Sequence, residues 1–260
     1  MTVRRIAKVV LAGLFFGAMS PTFAQRTDQK MTFAQLTDQR LNQTITAYDS
    51  DQASSLEQLI EVAQRFQIPM GIEWADAPNE TNVKPIHFHN ISVKEIISRI
   101  ANEKSGYRSI VSDGVVQVSK LELTADPLNF LNVRFPNYAV ANDSLFEASY
   151  WLRVSIKRTL HPGLNIGGGL GGKSAQEDFN KPTINFSATN VTVREILNRL
   201  VAAQGNCLWV VHLNPALLME GEPFYAQVVS SSGGKGNSDF SWDFIPLSTK
   251  TTTGSERNSK

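Results

Sequence analysis

Between Ile184 and Val211 the hydrophobic positions change period twice. Ile184, Phe186 and Ala188 alternate with polar residues, the pattern of a half-buried strand. Val193, Ile196, Leu197 and Leu200 then recur at helical spacing and line one face of a helix. Thr192 and Glu195 form a capping box at its start: the hydroxyl accepts from an orphan first-turn N–H, and the carboxylate reaches back to the Thr192 N–H. Val191 and Ile196 occupy the staple positions around that cap. Gly205 is a suitable helix stop. Leu208, Trp209, Val210 and Val211 form a continuous apolar run, the pattern of a buried strand.

The same pattern occurs earlier, from Ile86 to Val111. Ser92 and Glu95 form the capping box, Ile91 and Ile96 the staple, Val93, Ile96, Ile97 and Ile100 the stripe, and Gly106 the stop. Asn90-Ile91-Ser92-Val93-Lys94-Glu95-Ile96 aligns without a gap on Asn190-Val191-Thr192-Val193-Arg194-Glu195-Ile196. Two such units in register predict an internal duplication.

The residues around each unit extend the parallel. In the first half, Thr44, Ile45 and Ala47 predict a strand. Ser54 and Glu57 cap a helix carrying Leu56, Leu59, Ile60, Ala63 and Phe66, and Met70, Ile72 and Trp74 alternate as a strand. Asp113-Gly114 suits a type I′ turn joining Arg108–Val111 to Val115–Val118. In the second half, Phe130, Val133 and Phe135 predict a strand, Ser144 and Glu147 open a helix with Leu145, Ala148, Leu152 and Ile156, and Phe224–Val229 reads as a closing strand. The expected fold is α/β (α+β): two small two-layer lobes related by internal duplication, each with two helices packed on a small mixed sheet. The expected boundaries are a signal peptide at 1–24, a flexible segment at 25–41, lobe one at 42–120, lobe two at 128–230 and a low-complexity tail at 231–260. Within that tail, Phe240–Leu247 has two readings: a strand that packs back on lobe two, or a motif offered to a partner.

The pattern of apolar strand, Asn-(Ile/Val)-(Ser/Thr)-Val-(Lys/Arg)-Glu-Ile, helix, Gly and second strand resembles the short N-terminal domain of secretins and TonB-dependent receptors. The resemblance covers two stretches of about thirty residues. It implies a small α/β module that contacts other envelope proteins. Nothing after it resembles a secretin pore or receptor barrel, so the family's transport role does not carry over.

Charge and composition fit an exported protein. Arg4, Arg5 and Lys8 precede a short apolar run from Val9 to Met19, and Thr22-Phe23-Ala24 is a small-residue cleavage site, so the mature chain is expected to start at Gln25. The run is too short to span a bilayer, and no membrane span is expected in the mature chain. The cleavage region recurs: Thr22–Lys30 is repeated as Thr32–Arg40, which offers a second cut after Ala34. Removing residues 1–24 takes away three basic residues and no acidic ones, moving the formal net charge from +1 to −2. A nearly neutral chain lacks the electrostatic footprint of a nucleic-acid or anionic-lipid binder. The single cysteine, Cys207, excludes an internal disulfide.

Candidate chemistry is sparse. Gly167–Ser174 spells GGGLGGKS, a formal match to a phosphate-binding loop. A phosphate cradle needs a buried strand before it and a helix N-terminus after it. Leu160–Ile166 is not an apolar strand, and Ala175–Pro182 ends in a proline, so a flexible loop is expected instead. His87 and His89 share one strand face, but the second copy has Asn185 and Ser187 there, and solvent-facing residues are the expected reading. No catalytic constellation, metal site or cofactor is expected. The function expected is a non-catalytic, periplasmic or secreted protein-interaction module with an envelope protein as partner, as an accessory subunit of a secretion or uptake complex, a homo-oligomer also being compatible. The alternative is an exported ligand-binding protein or enzyme with its site in loops 75–84 and 160–181. Partner contact is expected at a sheet edge of lobe two, through Phe224, Ala226, Val228, Trp242 and Phe244, with the Phe240–Leu247 segment covering that edge in the free state.

Overall fold

A computed structural model of the chain describes residues 31–75, 85–103, 106–126, 129–160, 162, 183–213 and 242–247, all in the unit Met31–Lys260. The elements in order are α1 (Phe33–Leu41), β1 (Thr44–Ser50), α2 (Ser55–Phe66), β2 (Met70–Trp74), β3 (Ile86–Ser92), α3 (Val93–Glu103), β4 (Tyr107–Ser112) and β5 (Val115–Lys120). There follow α4 (Leu121–Thr124), a 3-10 turn at Phe130–Asn132, β6 (Arg134–Asp143), α5 (Leu145–Leu160), β7 (Ile184–Thr192), α6 (Val193–Gln204), β8 (Cys207–His212) and β9 (Trp242–Pro246).

The fold is mixed α and β. Among the described residues its centre is one five-stranded sheet of order β4-β5-β2-β8-β9. The sequence predicts a separate small sheet in each lobe. Instead β2 pairs in parallel with β5 on one side and β8 on the other, so both halves of the chain build the same sheet. Strand alternation then sends side chains to two cores. Met70, Ile72, Val116, Val118, Leu208 and Val210 point into the core beneath α2 and α3. Cys207, Trp209, Val211 and Trp242 point into the core beneath α5 and α6. Each core has an antiparallel two-stranded ribbon as its other wall, β1–β3 for the first and β6–β7 for the second. The middle of the central sheet, β5, β2 and β8, is therefore buried on both faces, and β2 is buried along its whole length.

The helix starts follow the local signals. Ser54–Glu57 and Thr192–Glu195 form complete capping boxes, and Ser144 and Glu147 exchange the same pair of bonds. At Ser92 only half of the box forms, because Glu95 pairs with Arg99 instead. The two ribbons share further detail. The register is Thr44↔Ser92 and Ile45↔Ile91 in one, and Arg134↔Thr192 and Phe135↔Val191 in the other. Asn90 and Asn190 both have positive φ, 50° and 52°. The first helical N–H of α3 donates to Gln43 O and that of α6 to Val133 O, each just before the ribbon's first strand.

The segment expected to be flexible at 25–41 differs from expectation over its second half. Thr32 and Gln35 form a capping box, α1 follows, and Leu41 is buried in the first core. The physical reason is that one buried leucine and a satisfied N-terminus hold a short helix that its polar composition does not announce. The stretch at Phe130–Asn132, expected as strand, is a 3-10 turn capped by Asn129. The expected strand at Phe224–Val229 lies outside the described residues.

Candidate functional site

Three places concentrate polar or exposed groups: the interior face under α6 and the two ends of the central sheet.

Under α6 the sheet is polar at its centre. Arg194 makes a two-point ion pair with buried Glu73 of β2, with Nη2 3.0 Å from Oε2, and donates to Asn132 Oδ1 at 2.7 Å. Asn198 Oδ1 accepts from Gln117 Nε2 at 2.7 Å and from the Trp209 indole at 3.0 Å. Gly71 lies opposite Trp209, and a Cβ there would sit 2.4 Å from the indole ring. These bonds tie α6 to strands of the first half. Each polar group is satisfied within the fold, so the network is cohesive and orients α6 on the sheet. Sequence reasoning did not reach Glu73; the signal available was a carboxylate within an otherwise apolar strand, Met-Gly-Ile-Glu-Trp, which needs a cationic partner opposite.

At one end of the sheet β9 lies along β8, antiparallel. Trp242, predicted as a partner-binding residue, is 1% exposed in this chain. Its indole N–H donates to Ser149 Oγ at 2.8 Å, its ring stacks with Phe130 at 6.2 Å, and the Arg153 guanidinium lies over it at 4.7 Å. Phe244 is half-buried on the same core. Gln64 and Gln67 of the first half donate to Pro246 O at 3.0 Å and Leu247 O at 2.8 Å. Of the two readings of Phe240–Leu247, the structure shows the described part, 242–247, as a strand packed on the fold. It carries Asp243 and Pro246, a charge and a missing donor, which both discourage further strand addition.

At the other end lies β4. Asp113 and Gly114 have φ of 52° and 79°, the two left-handed residues of a type I′ turn. That turn makes Ser112 and Val115 the closing hydrogen-bonded pair, so Ile110 and Arg108 also turn their main-chain groups toward β5. Ser109 and Val111 turn theirs outward. The Val116 N–H donates to Pro69 O, away from β4, which fixes the same parity. Ile110 and Val111 are 46% and 49% exposed. Beside them is a groove of about 270 Å³ between β4, α3 and the end of α1, with an apolar floor of Leu41, Ile97 and Val116 and Lys94 at its wall. Sequence reasoning found this hairpin but not that its first strand ends the sheet among the described residues.

The remaining candidates are placed plainly. His87 and His89 are exposed on β3, and His87 Nδ1 lies 2.7 Å from Asp49 Oδ1. Among the described residues, no three potential ligands gather at a metal-binding spacing. Cys207 is buried, and burial pushes its thiol far above the usual range, which keeps it protonated and unreactive. Burial, then the neighbouring Glu147, raises the Asp143 carboxyl, while the Ser144 N–H and hydroxyl lower Glu147. The Gly167–Ser174 motif, most of loops 75–84 and 160–181, and Phe224, Ala226 and Val228 lie outside the described residues. Among the described residues no helix is long and apolar enough to cross a membrane.

Comparison with models of known protein families, with curated proteins and with solved structures finds no match to this chain.

Proposed function

We propose that this chain is an exported, non-catalytic protein-interaction module of the cell envelope, acting by strand pairing at the β4 edge. The observation that carries the reading is that edge: a strand end of the central sheet with two half-exposed β-branched apolar residues beside an apolar groove. Outward main-chain groups supply affinity and the groove supplies side-chain selectivity, which is how sheet edges receive extended segments.

The reading includes the duplication. The matched ribbon registers, the paired left-handed asparagines and the equivalent bonds from α3 and α6 support descent of both halves from one unit. That unit resembles the short N-terminal domain of secretins and TonB-dependent receptors. The signal-like N-terminus supports a periplasmic or secreted location, and the resemblance supports an envelope protein as partner, within a secretion or uptake complex.

Val111→Pro tests the edge. The Val111 N–H points away from β5, so proline removes an outward donor without removing a bond to β5. Cross-linked capture from a native envelope extract is expected to recover a partner with the wild-type chain and to lose it with Val111→Pro. Unchanged capture by that variant would overturn the proposal.

A further inference from the structure

We propose that the occupant of the β4 edge is β4 of a second copy, paired antiparallel about a twofold axis at Ile110. This rests on reading that edge as the interaction surface, and it names the partner. The argument is one of register. Only Ser109 and Val111 turn main-chain groups outward in the middle of the strand, so a symmetric antiparallel pairing sets Ser109 against Val111 of the second copy, and Val111 against its Ser109. Each of these pairs exchanges two main-chain bonds. Between them Ile110 meets its own counterpart in the close, non-hydrogen-bonded spacing of about 4.5 Å between Cα atoms. The exposed isoleucine is thus covered by itself.

Charge disfavours the neighbouring register centred on Ser109. With the axis at Ile110, Arg108 faces Ser112 of the other copy, and the two guanidinium groups lie at opposite ends of the pairing. Moving the axis to Ser109 brings the two Arg108 residues into a diagonal relation of roughly 7–8 Å on one face, where like charges repel. Among the described residues the strand also lacks the usual protection. Tyr107–Ser112 holds one charge and no proline, and its register with β5 runs without a bulge. An isologous contact uses the same patch on both copies and closes at two, so it produces a dimer, not a fibre. Five paired residues and one groove form a small interface, so dissociation in the range of about 10–500 μM is expected.

The test uses the full chain. The wild type is expected to sediment as a concentration-dependent monomer–dimer mixture across that range, and Ile110→Lys as a monomer with an unchanged melting temperature. Ile110→Cys is expected to form a disulfide-linked dimer at position 110 under mild oxidation, because facing non-hydrogen-bonded residues suit a disulfide. Arg108→Cys is expected to stay unlinked, being far from its own counterpart. A wild type that remains monomeric throughout, or cross-linking by Arg108→Cys and not by Ile110→Cys, overturns the proposal. If the chain is monomeric yet Val111→Pro still loses an envelope partner, the second copy is the wrong occupant and the edge remains the interaction surface.

Discussion

The two ends of the central sheet solve the same problem in opposite ways. At one end β9 covers β8 and is anchored by side chains from both halves: Ser149 and Arg153 hold Trp242, while Gln64 and Gln67 hold the carbonyls at its end. Its own residues include Asp243 and Pro246. At the other end β4 is paired, among the described residues, with β5 alone, and shows Ile110 and Val111 to solvent. An edge strand anchored by buried aromatic and polar contacts is part of the fold. An edge strand with half-exposed apolar residues and outward main-chain groups is open to pairing with another segment. The contrast is what recommends the β4 end as the proposed intermolecular contact.

The comparison can be broken most severely from the middle. Arg194→Ala leaves Glu73 buried without its cation, and a loss of about 3–5 kcal/mol is expected in urea unfolding. Hydrogen exchange should rise at both ends of the sheet, because the pair belongs to neither. Trp242→Ala removes the anchor of one end only. A comparable loss of about 3–5 kcal/mol is expected, but with exchange rising first along Cys207–Val211, and uniform exchange along the sheet would contradict the view of β9 as a locally anchored strand. Gly71→Ala should cost about 1–3 kcal/mol, since its Cβ forces the Trp209 indole from its seat against Asn198.

Smaller effects separate the two helices that lead into β8 and β4. Thr192→Ala breaks a complete capping box and should cost about 1 kcal/mol. Ser92→Ala breaks half of one and should cost about 0.5 kcal/mol, because Glu95 is already engaged with Arg99. Equal losses would mean that the missing reciprocal bond is of no energetic consequence. Smallest of all, Ile110→Lys should leave stability within about 0.5 kcal/mol, since the residue is half-exposed, while abolishing association in sedimentation. A large loss of stability would make Ile110 a core residue and remove the contrast between the ends.

What the sequence determined by itself was local. Thr192 and Glu195, Ser54 and Glu57, and Ser144 and Glu147 are three residues apart, so chain geometry brings each pair together once a helix starts. The stripe Val193, Ile196, Leu197 and Leu200 is buried as its period requires. Asp113-Gly114 makes its turn because both residues tolerate positive φ. Strand partnership was decided elsewhere. Nothing in Met70–Trp74 or Cys207–His212 states that they lie side by side, because ladder bonds come from main-chain groups that every residue carries. That pairing was chosen by packing: the missing side chain at Gly71 receives Trp209, and the carboxylate of Glu73 finds Arg194 across the interior. The same choice put β9 on β8 and left β4 at the end of the sheet, so it was tertiary structure that buried Trp242 and exposed Ile110.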